Sequence, residues 1–215
     1  MKQKEKAYQQ KKRIGILGGT FNPIHIGHIR LAQQAQKQEN LDEVLFIPTG
    51  VSYMKDPKEI LPAKERLEMV RLSLLELAHF SASEIEIKRK GNSYTIDTLH
   101  ELQEQHPDAE LFLITGADTI FSIEYWKDSA GIFAAAKILA AYRPGASLTE
   151  LEKKIEQLCA AYGADIRLLE MAPVEISSTQ IRALRAQGKP ISGLVMPAAE
   201  AYIQEKKFYC LDKMN

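Results

Sequence analysis

The chain has 215 residues, of which 45% are hydrophobic, so it can bury the core of at least one globular domain. Its 28 Lys and Arg residues balance 28 Asp and Glu residues, so the total charge gives no indication of nucleic-acid binding. Two cysteines without C-x-x-C spacing argue against a disulfide framework and a cysteine zinc site, and no apolar run approaches the roughly 18 residues of a membrane span.

The N-terminal residues are strongly basic. Six basic residues stand against one acidic residue, Glu5, which gives a net charge of +5: Lys2, Lys4, Lys6, Lys11, Lys12 and Arg13. No apolar stretch follows these charges, so the segment is not a secretory signal, and we expect a reducing cytoplasm. We predict that residues 1–12 form a flexible basic extension and that residues 13–215 form one domain.

Short apolar runs alternate with helical patterns along the whole chain. The predicted strands are Arg13–Leu17, Glu43–Pro48, Glu84–Lys88 as an outer strand, Leu111–Thr115, Lys137–Tyr142 and Asp165–Leu169. The predicted helices are Ile26–Gln38, Ala63–Leu77, Tyr94–Gln105, Leu148–Ala161, Ser178–Ala186 and Pro197–Glu205. This alternation indicates an α/β fold, a Rossmann-like doubly wound parallel sheet with helices on both faces and a small C-terminal helical portion. Ligands of such sheets bind beyond the carboxyl ends of the strands.

The segment after the first predicted strand has the composition of a phosphate site. It reads Gly18-Gly19-Thr20-Phe21-Asn22-Pro23-Ile24-His25-Ile26-Gly27-His28. The two glycines allow backbone amides to approach a phosphate, and the following helix directs its N-terminus to the same place. His25 and His28 are neighbours on one helix face and can donate to phosphoryl oxygens that gain charge during a reaction. With no third ligand nearby they make a weak zinc site, so we favour the phosphate interpretation.

This segment resembles the H-x-G-H signature of the adenylyl- and cytidylyltransferase superfamily. Its GGTF[ND]PxHxGH form is similar to the nicotinate-nucleotide adenylyltransferases of bacterial NAD synthesis. The second superfamily motif, I-S-[ST]-T-x-x-R, matches Ile176-Ser177-Ser178-Thr179-Gln180-Ile181-Arg182 at the start of a predicted helix. A serine at a helix N-cap leaves amides free to bind an anion, and an arginine one turn later can reach a phosphate.

The resemblance implies an ATP site and its catalytic groups. The implied ATP contacts are Gly18, Gly19, Thr20, Phe21, His25, His28, Gly116, Asp118, Ile176, Ser177, Ser178 and Arg182. Within this set, His28, His25 and Arg182 are the implied catalytic residues. Gly116-Ala117-Asp118 is similar to the family's G-A-D, where the glycine admits the adenosine and the aspartate bonds the ribose. A lone Asp at a strand end can also be only the cap of the next helix.

The middle of the chain carries the part of the resemblance that selects the acceptor. Gly91-Asn92-Ser93-Tyr94-Thr95-Ile96-Asp97-Thr98 is similar to the family's G-x-S-Y-T-x-D-T. The resemblance implies that groups around Tyr94 and Thr95 receive the nicotinate carboxylate and that Trp126 stacks on the pyridine ring. An aromatic face suits a flat ring and N–H donors suit a carboxylate, although core packing is the alternative for this tryptophan.

The remaining implied acceptor contacts are less uniform. They are Gly19, Thr20, Asn22, Lys55 and Arg143. Lys55 lies where the family carries Pro-His-Lys, but Met54 replaces the histidine here, which affects the expected loop contacts and not the reaction. Arg143 matches a family R-P-G, and either substrate contact or a structural role stays open for it.

The resemblance implies transfer of AMP from ATP to nicotinate mononucleotide, which gives deamido-NAD and pyrophosphate. The acceptor phosphate attacks the α-phosphorus of ATP in line, and it needs no general base because its second pKa is about 6. Catalysis then consists of positioning and charge stabilisation. We expect Mg²⁺ to be held by ATP phosphates and water, without a metal site on the protein.

Two other interpretations remain at this point. A pantetheine-phosphate adenylyltransferase or a cytidylyltransferase would share the end motifs but lack the G-x-S-Y-T segment and the tryptophan. A non-catalytic nucleotide-binding module would be expected to have broken motifs, whereas both histidines, both serines and Arg182 are present. Beyond the two small-molecule substrates we expect no nucleic-acid or membrane partner, and a homo-oligomer stays open.

Overall fold

The computed structural model describes residues 11–51, 60–142, 148–171 and 176–210. Within these residues the strands are β1 (Arg13–Gly19), β2 (Glu43–Pro48), β3 (Phe80–Ala82), β4 (Glu110–Gly116), β5 (Lys137–Tyr142) and β6 (Ile166–Glu170). The helices are α1 (Ile26–Glu39), α2 (Ala63–Leu74), α3 (Ile85–Lys88), α4 (Thr95–Gln105), α5 (Ala117–Ile120), α6 (Ser129–Ala135), α7 (Leu148–Tyr162), α8 (Ser178–Ala186) and α9 (Pro197–Glu205).

The six strands form one parallel sheet in the order β3-β2-β1-β4-β5-β6. The chain winds outward from β1 to β3, returns to β4 beside β1, and then winds outward in the other direction. This is the doubly wound order, and its switch point lies between β1 and β4. The predicted Rossmann-like α/β fold is therefore confirmed.

Both faces of the sheet are apolar, because alternate residues of a buried strand point to opposite faces. Along β4, Leu111 and Leu113 belong to one buried cluster, and Phe112 and Ile114 belong to the other. Helices α1, α2, α8 and α9 cover the Phe112 face, whereas α4, α6 and α7 cover the opposite face. The two C-terminal helices thus complete the cover of one sheet face.

The structure corrects the expected end of the first strand. β1 continues through Gly18 and Gly19, whose backbones pair with Ile47 and Pro48 of β2. The chain bends at Phe21, which has a φ of 48°, and neither glycine has a positive φ. A Cβ on Gly18 would meet no atom within 4 Å, so this glycine leaves open space at the strand end without making the turn.

The expected outer strand Glu84–Lys88 is also wrong. The edge strand β3 lies earlier, at Phe80–Ala82, and pairs with Val44–Phe46. Residues 85–88 instead form the short helix α3, which is closed by a 2.9 Å hydrogen bond from the Lys88 N–H to the Glu84 carbonyl. The alternation of isoleucine and charged residues is too short to separate a strand period from a helical turn.

Short helices after β4 were absent from the sequence prediction. They are α5, a 3₁₀ turn at Ile123–Tyr125 and α6. Elements of three to seven residues are too short for a helical period to appear in the sequence. The cap of α6 was a usable signal, because the Asp128 side chain accepts a 3.1 Å hydrogen bond from the Gly131 N–H.

Three further points concern the chain as a whole. No helix in the described ranges is long and apolar enough to cross a membrane. Cys159 and Cys210 are both free thiols. The division into an extension over residues 1–12 and one domain over residues 13–215 stays a prediction, since residues 1–10 lie outside the described part.

Candidate active site

A cavity of about 230 Å³ opens at the carboxyl ends of β1 and β4, where the strand order reverses. We call it the β1–β4 cavity. Leu113, Ile114 and Thr115 of β4 form part of its wall. Predicted acceptor contacts also line it, and these are Gly19, Thr20, Tyr94, Thr95 and Trp126. The fold therefore brings three distant motifs to the place where doubly wound sheets bind ligands.

A second cavity of about 210 Å³ lies between the first turns of α1 and α8. We call it the α1–α8 cavity. Six of the predicted ATP contacts line it: His25, His28, Gly116, Ile176, Ser177 and Ser178. Leu31, Ala141, Tyr142 and Met171 also line it and were not predicted. The segment that joins β1 to α1 contributes to both cavities, so molecules bound in the two would meet along it.

His25 and His28 pack as a stacked pair, with ring centroids 3.7 Å apart and an interplanar angle of 27°. The backbone N–H of His25 donates to Nδ1 of His28 at 3.1 Å. Burial, with a smaller effect of the neighbouring His25, lowers the pKa of His28 to about 3. The ring is therefore neutral, and because Nδ1 accepts, its proton is on Nε2. The result is an oriented neutral N–H donor beside the α1–α8 cavity.

Phe21 restrains the same ring from another side. Its side chain is buried and meets His28 edge-on, with centroids 5.0 Å apart and an interplanar angle of 82°. The positive φ of Phe21 turns the chain so that this contact forms. Packing of this kind fixes the direction of the histidine before a ligand arrives.

The two end motifs meet directly. The Ser178 hydroxyl donates to the Pro23 carbonyl at 2.8 Å, and Nη1 of Arg182 donates to the Asn22 carbonyl at 2.9 Å. Ser177 caps α8, since its Oγ accepts from the Gln180 N–H at 3.1 Å. Segments more than 150 residues apart are thus joined by hydrogen bonds from side chains of α8 to carbonyls of the loop after β1.

Known proteins with similar sequences identify the family to which these motifs belong. The cytidylyltransferase-like family model matches residues 16–184. A "probable nicotinate-nucleotide adenylyltransferase" of Corynebacterium kroppenstedtii is 39% identical over 92% of this chain and 90% of its own length. One of Clavibacter michiganensis with the same name is 41% identical over 92% of this chain and 94% of its own length. This chain belongs to the nicotinate-nucleotide adenylyltransferase family.

Solved structures support the same fold at much lower sequence identity. Plasmodium falciparum nicotinic acid mononucleotide adenylyltransferase complexed with NaAD matches with a TM-score of 0.75 and 18% identity, over 92% of this chain and 97% of that chain. Its complex with APC matches with a TM-score of 0.73 and 17% identity, over the same shares of both chains. At this identity the likeness establishes the fold, while the sequence relatives establish the family.

Four described residues that the family resemblance assigned to ligands line neither cavity: Phe21, Asn22, Asp118 and Arg182. Asn22 is buried, and its Oδ1 accepts from the Leu61 N–H at 3.3 Å and from the Tyr209 hydroxyl at 2.9 Å. Its side chain therefore holds the loop to the rest of the protein, which gives no geometric support to the predicted acceptor contact. Asp118 is exposed in the first turn of α5, and its predicted ribose contact stays a prediction.

A buried polar cluster beneath Tyr94 was missed from the sequence. Glu86 is 8% exposed, accepts from the Thr98 hydroxyl at 2.9 Å and lines the β1–β4 cavity. Burial raises the pKa of this carboxyl. Ser93 accepts from the Gly50 N–H at 3.2 Å, and a Cβ on Gly50 would overlap the Glu86 carbonyl. The cluster ties the Ser-Tyr-Thr segment to the loop after β2.

Lys127 is a second missed residue of this cavity. Its ammonium lies 3.0 Å from both carboxylate oxygens of Asp97 and 4.5 Å from the centre of the Tyr94 ring. A lysine beside a tryptophan has no distinctive spacing, so no sequence signal marked it. Its ion pair with Asp97 lies at the edge of the cavity where Trp126 lies.

The other predicted contacts have simpler outcomes. Lys55 and Arg143 lie outside the described residues. Within the described ranges, no group of three or more His, Cys, Asp or Glu side chains could hold a metal ion. Arg182 lies against the loop after β1 and lines neither cavity as it stands, so its predicted phosphate contact stays a prediction.

Proposed function

We propose that this protein transfers AMP from ATP to nicotinate mononucleotide and releases pyrophosphate, giving deamido-NAD. The observation that carries the proposal is the meeting of the H-x-G-H loop and the Ser-Ser-Thr helix beside a cavity lined by Tyr94, Thr95 and Trp126. The names of the relatives agree with it. The reaction is a nucleotidyl transfer between small molecules.

We assign the two cavities to the two substrates. The β1–β4 cavity receives the mononucleotide, with the pyridine ring on Trp126 and its carboxylate at the N-terminus of α4. The α1–α8 cavity receives ATP, with the α-phosphate beside His28. The open space at Gly18 lies where the two phosphates would approach each other, because Gly18 to Thr20 line the first cavity and lead into the histidines.

The chemistry follows from these positions. The acceptor phosphate is largely ionised near pH 7, since its second pKa is about 6, so it attacks the α-phosphorus without a general base. The neutral His28 donates from Nε2 to the α-phosphate oxygen on which charge develops. Amides at the N-terminus of α8, with Arg182 one turn later, favour the departing pyrophosphate. Mg²⁺ bound to the ATP phosphates and water would neutralise further charge.

We also place the protein in the cytoplasm, where the free thiols of Cys159 and Cys210 would persist. ATP and the mononucleotide are its partners in this proposal, with no nucleic acid and no membrane. A homo-oligomer remains an open option that the mass in solution decides.

Pyrophosphate release from ATP tests the proposal when three acceptors are compared. We expect a kcat/KM about 10- to 100-fold higher with nicotinate mononucleotide than with nicotinamide mononucleotide, because only the acid offers a carboxylate for charge-assisted hydrogen bonds. Equal rates with nicotinate and nicotinamide mononucleotide would contradict the assignment of a carboxylate site to Tyr94 and Thr95. Release with pantetheine phosphate alone would move the protein to another branch of the superfamily.

A further inference from the structure

One buried arginine of α2, Arg66, binds the loops that follow β1 and β2. Its side chain is 3% exposed. Nε donates to the Leu61 carbonyl at 2.9 Å, and Nη1 donates to the Thr20 carbonyl at 2.7 Å. Nη2 donates to the carbonyls of Thr49 and Gly50 at 2.6 and 3.3 Å. A single guanidinium therefore bonds four carbonyls from three loop segments.

These contacts begin where the strand ladder stops. β1 and β2 remain paired up to Gly19 and Pro48, and the Thr49 N–H still donates to the Gly19 carbonyl at 2.9 Å. Beyond that point Arg66 donates to the carbonyls of Thr20 and Thr49, the next residue after each strand. Because guanidinium is planar with donors in fixed directions, it sets the distance between the two loops.

The two loops form one side of the β1–β4 cavity. Thr20 and Thr49 both line it, and Gly50 packs against the Glu86 and Ser93 cluster at its base. The α1–α8 cavity is built instead from α1, α8 and the ends of β4 and β5. Its lining residues include none of the four carbonyl partners of Arg66.

We propose that Arg66 is a positioning residue for the acceptor, fixing the loops after β1 and β2 at the separation that places the acceptor phosphate for attack. The inference rests on the proposed function, in which the β1–β4 cavity holds the mononucleotide. Arg66 acts through the backbones of Thr20 and Thr49. We expect ATP binding to depend on Arg66 much less, because none of its carbonyl partners lines the α1–α8 cavity.

Two substitutions at Arg66 and a control on the same helix test this role. Arg66→Met removes every donor, and Arg66→Lys keeps the charge but cannot span four carbonyls. Arg71→Met is the control, because Arg71 is half-exposed and pairs only with Glu68 and Glu84 among the described residues, at 3.9 and 3.5 Å. Trp126 is the only tryptophan and lines the same cavity, so its fluorescence reports acceptor binding without turnover.

We expect Arg66→Met to lower kcat/KM for nicotinate mononucleotide by about 10²-fold, the cost of a shift of roughly 1 Å in a reacting group. The Kd of the mononucleotide measured by Trp126 fluorescence should rise by at least about 10-fold, with the KM for ATP within about 3-fold of wild type. The kcat/KM and Kd of Arg66→Lys for the mononucleotide should lie between those of wild type and Arg66→Met. The values of Arg71→Met should match wild type.

A folded Arg66→Lys variant with wild-type acceptor binding and turnover would overturn the inference. Equal losses of affinity for ATP and for the acceptor would also overturn it. If Arg66→Met does not fold, Arg66→Lys decides by the same criteria. A wild-type protein that neither binds nor uses nicotinate mononucleotide would overturn the proposed function itself, and this inference with it. If wild type binds and uses nicotinate mononucleotide and the Arg66 variants do so equally well, only the role of Arg66 is contradicted.

Discussion

The two ends of the sheet use arginine in opposite ways. At the amino end, Arg13 and Arg167 both bond the carboxylate of Glu39, at 3.1 and 2.6 Å. Arg13 also bonds Glu110 at 2.8 Å, and Arg167 also bonds Asp165 at 2.9 Å. At the carboxyl end, in the part of the chain that the structure describes, Arg66 and Arg182 bond backbone carbonyls.

The difference decides which end can hold anions. An arginine placed between carboxylates has its charge cancelled locally, so it links strands without attracting a phosphate. A carbonyl accepts the hydrogen bond but carries no net charge, so the positive charge remains to favour a nearby anion. The amino end is therefore organised for stability, and the carboxyl end combines loops fixed by Arg66 with the guanidinium of Arg182 and a neutral donor at His28.

The largest expected effect is at the carboxyl end. His28→Ala should lower kcat by about 10²–10³, because it removes one donor to the charge that develops on the α-phosphate. The affinity for ATP, measured by equilibrium binding, should change little. His106→Ala is the control, since His106 ends α4 near Glu43 at the amino end. Near-wild-type turnover of His28→Ala would contradict the assigned role.

The next effect is the pH dependence of stability that His28 imposes. The unfolded chain binds a proton on this histidine near its ordinary pKa of 6.5, whereas the folded protein keeps it neutral down to a pKa of about 3. Between these values the unfolded state holds more protons, so stability falls as the pH falls. From pH 7 to pH 5 the loss is about 2 kcal/mol.

Urea unfolding of wild type and His28→Gln at both pH values measures this term. Groups other than His28 titrate in both proteins, so the difference between the two slopes isolates the histidine. We expect the stability of the variant to fall by about 2 kcal/mol less than that of wild type between pH 7 and pH 5. Parallel slopes would mean that His28 is not held neutral in the folded protein.

Much of this organisation was predictable because it is local. β2 and β5 have the predicted bounds, since buried parallel strands appear as continuous apolar runs between turn residues. The carboxyl ends of parallel strands lie at one edge, so the position of the cleft followed from the strand assignment. The contact of Arg182 with the loop after β1 agrees with the predicted meeting of the two motifs.

The residues that were missed depend on tertiary contacts. Arg66 looks like any polar residue of an amphipathic helix, and its importance comes from loops that meet at its tip only in the fold. Glu86 lies in a segment whose alternation indicated a strand, so its place beside the cavity was not visible. Asn22 is the opposite case. The motif predicted an acceptor contact for it, whereas in the fold its side chain accepts hydrogen bonds from Tyr209 and Leu61.

The smallest expected effect is at the amino end and concerns stability without activity. Glu39 is 8% exposed and bonds two arginines, so Glu39→Gln removes a charge but keeps the side chain's size. Arg13 keeps Glu110 and Arg167 keeps Asp165, so neither arginine loses every partner. We therefore expect a loss of about 1.5 kcal/mol in urea unfolding, below the 3–5 kcal/mol of a fully isolated buried charge.

The activity of Glu39→Gln separates the two ends. At 25 °C the variant should remain folded and keep the wild-type kcat and both KM values, because nothing at the carboxyl end bonds Glu39 in the described ranges. Lys12→Met is the control for a surface ion pair, and its loss of unfolding free energy should be smaller than that of Glu39→Gln. Lys12 is 47% exposed in its pair with Glu43, and surface pairs contribute at most about 1 kcal/mol. A fall in kcat with full folding would show that the charge network also positions the loops, and the division between the ends would not hold.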